Sequence, residues 1–263
     1  MNRSAMFWGT VLIGLGAVLL LDNLGMLPLP AWELIWPLFL IALGAWILLG
    51  VALNPRRESQ QLTIPLEGAP AAEIKISHGM GELIVQSGAE PGALVSGSFG
   101  GGVEQAVSRH GNCQRIKLAP PIQSFAPWEW MQRGGRTWSV GLSRDIPIAL
   151  EVEAGASANR LDLSGLMLTG LKLEVGASST ELALPAGRGT TRVRIEVGAA
   201  SVNVRLLPGT PARVRWEGGL TTFDIDRDRF TGSGHVYETP DYAAAVDRLE
   251  LDIESGIGSV NIR

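Results

Sequence analysis

A pattern of two alternating segments joined by a glycine recurs six times and limits the folds open to this chain. Apolar residues stand five and three places before each glycine, and a second alternating segment follows a few small or polar residues. The six glycines are Gly79, Gly155, Gly176, Gly198, Gly219 and Gly256. Alternation places one face of a strand in a core and the other in solvent. A unit of about 21 residues cannot bury its apolar face alone, so the units are expected to stack.

The spacing after each glycine places it at a corner between two strands. In four units the second apolar segment begins four places after the glycine, and in the units of Gly155 and Gly176 it begins six places after it. Glycine permits a bend or bulge that a Cβ atom would obstruct. Residues 58–263 are therefore predicted to form an all-β repeat domain, and both an open β-solenoid and a closed sandwich fit the pattern.

Two longer intervals between the glycines predict insertions at about 97–144 and 227–246. The first insertion contains Trp128, Trp130 and Trp138. Two interpretations of these indole rings are open. They close an end of the stack, as the caps of repeat proteins do, or they form a patch that binds a partner. The second insertion is interpreted as a hairpin or loop before the last unit.

Two segments at the start of the chain are apolar enough for a membrane. Residues 6–21 and 34–53 carry no charged side chain, and the second run matches a hydrocarbon core of about 30 Å. A connector with two prolines separates them. We therefore predict a transmembrane hairpin of two helices, at about 6–24 and 32–53, in a domain of residues 1–57.

The alternative to a membrane hairpin is a cleaved signal peptide, because Arg3 precedes the first apolar run. No small-residue cleavage site follows Leu21, and a second full-length apolar run comes next, which favours the hairpin. Positive charge lies outside the hairpin, at Arg3 and at Arg56 and Arg57. The positive-inside rule therefore places both termini and the β domain in the cytoplasm.

The N-terminal residues Phe7-Trp-Gly-Thr, Leu21-Asp-Asn-Leu-Gly and Trp36-Pro-Leu resemble the membrane hairpin of LiaI/LiaF-type bacterial envelope proteins. The remainder resembles the all-β toastrack domain. The residues that carry this second resemblance include Trp138-Ser-Val-Gly-Leu, Gly155-Ala-Ser, Leu161-Asp-Leu-Ser-Gly-Leu, Gly176-Ala-Ser and Gly256-Ile-Gly-Ser-Val-Asn-Ile. Together the two resemblances imply a membrane-tethered β stack linked to cell-envelope stress sensing. Some relatives restrain a partner histidine kinase, and no motif in this sequence specifies such a partner.

Residues with catalytic or ligand chemistry are few and scattered. The histidines His78, His110 and His235 stand 32 or more residues apart, and we expect each on the surface or in a loop. The single cysteine, Cys113, is expected to be a half-buried strand residue. The sequence offers no set of nucleophile, base and oxyanion donors. We therefore predict no enzyme activity, no cofactor and no metal ligand, and the net charge of −4 argues against a nucleic-acid partner.

Charge varies strongly along the repeats. Residues 188–215 hold six arginines against one glutamate, whereas residues 217–254 hold ten acids against three arginines. The outward-pointing basic residues are Arg192, Arg194, Arg205, Arg213 and Arg215. Either they pair with acids of adjacent units, or they form a basic stripe that docks anionic lipid or an acidic partner.

Three classes of function follow from these features. The leading hypothesis is a non-enzymatic membrane regulator whose cytosolic β domain binds a membrane protein such as a sensor kinase. The second is a structural scaffold, in which exposed terminal strands pair edge to edge. Its exposed strand is predicted to be the last one, Val260-Asn-Ile262. The third is an enzyme, for which the sequence lacks clustered reactive side chains.

Overall fold

The computed structural model describes residues 59–121 and 137–263, together with residues 9, 13, 16, 20, 36, 37 and 39–46 of the N-terminal segment. The chain divides into two compact units, one formed by the N-terminal segment and the other by the strands. In the N-terminal segment all of the described residues are helical. No helix built from these residues is both long and apolar enough to traverse a bilayer. The rest of the predicted hairpin lies outside the described residues.

The described residues of the second unit form fourteen strands. In chain order these are β1 (Gln60–Pro65), β2 (Ala71–Ser87), β3 (Ala93–Phe99), β4 (Glu104–His110), β5 (Cys113–Ala119), β6 (Thr137–Leu142), β7 (Ile148–Asp162), β8 (Leu168–Val175), β9 (Ser179–Leu184), β10 (Thr190–Leu206), β11 (Ala212–Ile225), β12 (Thr231–Ser233), β13 (Val236–Glu238) and β14 (Arg248–Ile262).

The six predicted units lie side by side as parallel strands, in the order β2, β7, β8 with β9, β10, β14 and β11. Each unit has a first arm before its glycine and a second arm after it. In the unit of Gly176 the two arms are the separate strands β8 and β9. The registers keep equivalent positions aligned throughout, as in the pairing of Val193 with Leu171 on one side and Leu251 on the other. The stacking that the spacing predicts is therefore observed.

The glycines form a column along the corner of the stack. A Cβ atom on Gly155 would lie 2.3 Å from the carbonyl oxygen of Gly79, and one on Gly256 would lie 2.7 Å from that of Gly198. Gly79, in the first unit of the column, has no atom within 4 Å of its Cβ position. At Gly155 and Gly256 the close approach of the preceding unit's backbone therefore requires glycine.

Apolar residues of both arms point inward and form one core. In the second arms of two units the inner position four places after the glycine is polar, with Asn159 and Thr180 in adjacent strands. Asn159 donates a hydrogen bond of 3.0 Å to the Thr180 hydroxyl, and Ser157 donates one of 2.8 Å to Asn159. This buried polar cluster explains why the apolar segment begins later in these two units.

The prediction that the last strand is an exposed edge is wrong. β14 lies between β10 and β11 and pairs in parallel with both along its whole length. The chain leaves β11, forms the β12–β13 hairpin and then returns to place its last strand in an interior position. The exposed edge at this end of the stack belongs to the second arm of β11 instead.

The insertions build the two ends of the stack. Within residues 97–144, β5 pairs with the first arm of β2, and β6 pairs with its second arm. Trp138 in β6 is buried, and its ring packs edge-on against Phe99 with centroids 5.0 Å apart. This indole closes the core, as the cap interpretation expects. Within residues 227–246, β12 and β13 form the predicted hairpin, and β13 pairs with the first arm of β11.

The histidine prediction is wrong for one of the three residues. His78 lies in β2, is only 4 % exposed, and has its ring centroid 5.2 Å from that of Trp138. Its position one place before the glycine continues the inward alternation of Ile74 and Ile76, so the position in the repeat, and not the polar side chain, determines its burial. His110 and His235 are exposed, and Cys113 is half-buried at the start of β5, as predicted.

Candidate interaction surface

The outward-facing residues of the six first arms form three rows across the stack, which we call the first, second and third rows. They lie six, four and two places before the glycines. In stack order the first row is Glu73, Ala149, Gly170, Arg192, Glu250 and Arg213. The second row is Lys75, Glu151, Lys172, Arg194, Asp252 and Arg215. The third row is Ser77, Glu153, Glu174, Glu196, Glu254 and Glu217.

The interior position of β14 sets an acidic strand between two basic ones. In the second row Asp252 lies between Arg194 and Arg215, and it bonds to Arg215 at 3.0 Å. In the first row Glu250 lies between Arg192 and Arg213. Direct pairing of β10 with β11 would instead align arginine with arginine, and like charges directly opposite are destabilising. The charge pattern therefore favours the observed strand order.

Four of the five predicted surface arginines form ion pairs. Arg192 lies 3.5 Å from Glu250, and Arg213 lies 2.7 Å from Glu238 of β13. Arg194 bonds to Glu196 at 2.8 Å and to Glu254 at 3.0 Å. The structure thus shows the cross-strand pairing that the sequence leaves open as one interpretation.

The fifth arginine, Arg205, lies in the second arm of β10 and is exposed. No ion pair of Arg205 is found within residues 59–121 and 137–263. Trp128 and Trp130, the other residues predicted for a partner surface, lie outside the described residues. Among the described residues, Arg205 is therefore the member of the predicted surface that has no ion pair.

The third row contains five glutamates on adjacent strands. They line an open groove of about 1010 Å³ that follows the glycine column. Lysine and arginine side chains of the second row offset part of this charge. The hydrogen bond from Lys75 lowers the pKa of Glu153. The hydrogen bonds that Lys75 donates to Glu153 and Glu151 raise the pKa of the Lys75 ammonium. Glu217, at the end of the row, has no ion pair with any described residue.

In the ranges that the structure covers, no group of three His, Cys, Asp or Glu side chains is placed to hold a metal ion.

An apolar surface at the β11 end of the stack was not predicted from the sequence. Leu220 is 80 % exposed, and its in-register neighbour Ile257 is 57 % exposed. Beside them, the rings of Trp216 and Phe223 stack with centroids 4.8 Å apart, and Phe223 also stacks on Tyr237. The sequence does contain a signal for this surface. A large apolar residue follows Gly219 and Gly256, whereas alanine follows three other corner glycines, namely Gly155, Gly176 and Gly198.

Two family models match the chain. Residues 53–205 match the N-terminal domain of toast_rack. Residues 6–48 match the LiaI-LiaF-like transmembrane region. Both matches agree with the resemblances in the sequence, and the second indicates association with a membrane. No curated protein sequence matches the chain.

Two solved structures are similar in fold. A candidate cell adhesion protein from Clostridium sporogenes ATCC 15579 aligns with a TM-score of 0.70 at 20 % identity, over 78 % of this chain and 98 % of that chain. At this identity the likeness concerns the fold alone. A candidate adhesin from Bacteroides fragilis NCTC 9343 has a TM-score of 0.27 and 8 % identity over 80 % of this chain and 99 % of that chain, which is too little to support an argument.

Proposed function

The chain belongs to the family defined by the N-terminal domain of toast_rack, and from this membership we propose that it is a membrane-anchored regulator of the bacterial cell envelope. In this proposal the β stack binds a membrane signalling protein, such as a sensor kinase, and performs no catalysis. The observation that carries the proposal is the order of a LiaI-LiaF-like transmembrane region and a toast-rack domain in one chain. A protein bound to the stack is thereby held at the membrane that contains the anchor.

The shape of the stack supports a role in binding. Six units in register present three straight rows of outward side chains, and a parallel sheet of this kind is rigid. A rigid, extended surface loses little conformational entropy when a partner binds. We propose that the partner surface includes Arg205, together with the sequence-predicted Trp128 and Trp130.

The proposed orientation has two transmembrane helices, with both termini and the stack in the cytoplasm. It rests on the basic residues that flank the apolar runs, Arg3 on one side and Arg56 and Arg57 on the other. A cytoplasmic stack has access to the kinase domain of a membrane sensor.

Cross-linking and mass spectrometry in the native membrane test the proposal. The full chain is compared with a chain that lacks residues 1–57 and with the variant Arg205→Glu. We expect the full chain to capture a membrane signalling protein, the truncated chain to lose it, and Arg205→Glu to capture less. Arg205 makes no ion pair with the described residues, so its reversal tests binding without breaking a pair in the stack. Recovery of self-cross-links alone would contradict the proposal.

A second candidate function is a self-assembling scaffold on the membrane. The observation that favours it is the exposed edge of the β11 second arm, because an open edge is a template for another strand. Self-cross-links between residues near Thr222 of two chains would support it.

A further inference from the structure

We propose that the second arm of β11 is a docking edge for an extended strand of another protein, and that this strand alternates apolar residues with lysine or arginine. The proposal deepens the proposed function and rests on it, because it names the chemistry of the partner segment that the stack would bind. Addition of a strand to an open sheet edge is an established mode of peptide recognition, in which main-chain hydrogen bonds give affinity and side chains give specificity.

The backbone of this arm is paired on one side only. Residues 220–225 pair with β14. On the other side, β13 and the adjacent His235 cover Arg213–Trp216 of the first arm and no residue of the second arm. The amide of Asp226 donates to the carbonyl oxygen of Ile262 in β14. The alternation of a strand therefore directs the amides of Thr221, Phe223 and Ile225 to the other side. No strand within residues 59–121 or 137–263 occupies that side.

Natural sheet edges are usually protected by charge, proline or short length. The other end of the stack follows this rule, because β1 ends in Pro65 and β4 carries Glu104 and Arg109. The β11 arm has none of these devices at its centre, where Thr221, Thr222 and Phe223 all favour strands. Leu220, which is 80 % exposed at the start of this arm, adds an apolar side chain that a strand paired with β11 would contact.

The charges on the outer side of the edge determine which strand fits. Asp224 is exposed on the outer face of β11, and Glu217 lies at the corner. Asp226 directly follows the strand and is half-buried, and its carboxylate accepts a hydrogen bond of 3.0 Å from the amide of Asp228. Asp224 is paired with Arg263, while Asp226 and Glu217 have no ion pair with a described residue.

Apart from Arg263, which pairs with Asp224, the nearby arginines point elsewhere. Arg227 lies over the Tyr237 ring at 4.7 Å, and Arg229 donates to the backbone carbonyl groups of Leu206, Leu207 and Thr210. A partner strand with lysine or arginine on its outer face therefore complements the edge.

The same charges argue against a second copy of this chain on the edge. Antiparallel pairing of two β11 arms about Phe223 would place Asp224 and Asp226 of both copies on one face. In this pairing Asp224 lies opposite Thr222 of the other copy, and Asp226 lies opposite Leu220. The four carboxylates are then diagonal neighbours, and their mutual repulsion disfavours the pair. The edge is thus suited to a basic strand from a different protein.

The test measures binding of a dye-labelled synthetic peptide of alternating lysine and valine to the full chain in detergent. A matched peptide of alternating glutamate and valine is the first control. The variant Thr222→Lys adds a cation to the exposed outer face of the edge, and Ser179→Lys adds the same charge to the exposed face of β9, away from the edge. Circular dichroism of each variant confirms that the strands are retained.

We expect the lysine–valine peptide to bind the unaltered chain and Ser179→Lys equally, and Thr222→Lys about tenfold more weakly, or about 1.4 kcal/mol. The glutamate–valine peptide should not bind. Equal binding to Thr222→Lys, or no binding to the unaltered chain, would overturn the docking edge. If the unaltered chain forms a dimer and Thr222→Lys abolishes it, the edge binds a second copy of the chain instead. If the membrane cross-links to a signalling protein persist in these cases, the proposed function stands and only the docking edge is withdrawn.

Discussion

The glycine column is the feature of single residues that most directly determines the fold. Its members are equivalent in the sequence pattern, yet the structure gives them different surroundings. Gly155 faces the carbonyl oxygen of Gly79 at a Cβ distance of 2.3 Å, and Gly79 faces no atom within 4 Å. Neither residue has a positive φ, so the difference lies in contact with the neighbouring unit and not in backbone strain.

The replacement Gly155→Ala should therefore destabilise the chain, and Gly79→Ala should not. Forcing a methyl group against the backbone of the next strand costs about 1–3 kcal/mol. In Gly79→Ala the methyl group meets no obstacle, and the less flexible unfolded chain leaves stability unchanged or slightly higher. Urea unfolding of the two purified chains, followed by circular dichroism, measures the difference. Equal loss of stability in both variants would show that the column does not stack as described.

Charge at single positions of β14 is the second residue-scale feature. The variant Asp252→Arg would place three arginines in a row with Arg194 and Arg215. Each favourable or unfavourable cross-strand pair contributes about 0.2–1 kcal/mol, so we expect a loss of about 1–2 kcal/mol.

The neutral variant Asp252→Asn removes the attraction without adding repulsion, and it should lose less stability than Asp252→Arg. Added salt should reduce the difference between the two variants, because it screens exposed charges. Identical unfolding curves for Asp252→Arg and the unaltered chain would mean that charge has no part in fixing the position of β14.

At the scale of elements, the sequence predicts the six units and their corners but not their order. Alternation and glycine spacing are local signals, and each unit shows them without reference to its neighbours. The position of β14 depends on contacts between distant segments, above all the pairing of its acids with arginines of β10 and β11. The sequence shows runs of opposite charge. It does not show whether the basic strands β10 and β11 lie next to each other or on either side of β14, because that depends on the strand register. For the same reason the open edge was assigned to the wrong strand.

Hydrogen exchange of the backbone amides shows whether the last strand, β14, lies in the interior of the sheet or at its edge. Amides of β14 are hydrogen-bonded between two strands, so we expect them to exchange among the slowest of the chain. Amides of Thr221, Phe223 and Ile225 on the open edge should exchange much faster. Mass spectrometry of peptides from residues 248–262 and 219–226 gives both rates. Fast exchange throughout β14 would return it to the edge of the sheet.

At the scale of the whole molecule, the chain combines a LiaI-LiaF-like transmembrane region with a toast-rack stack, and we propose that the stack binds other proteins. Short motifs identify the family of each part. Packing constrains the corner residues of the stack, and the bilayer constrains the residues that flank the apolar runs. The proposed partner surface was harder to predict from the sequence. Five arginines in alternation resemble a free basic stripe, yet four of them pair with acids that lie up to 60 residues away in the chain. The apolar patch of Leu220 and Ile257 likewise exists only because β14 and β11 are neighbours.

Access of the stack to the kinase domain of a membrane sensor depends on the side of the membrane that the stack occupies. Cys113 is the single cysteine of the chain, and it lies half-exposed at the start of β5, where it serves as a natural reporter. The measurement is labelling of Cys113 with a membrane-impermeant thiol reagent, first in intact cells and then after permeabilisation. A matched control carries Cys113→Ser together with Asn23→Cys in the predicted external connector. The account predicts that Cys113 is labelled only after permeabilisation and that the control is labelled in intact cells. Labelling of Cys113 in intact cells would place the stack outside and contradict the account.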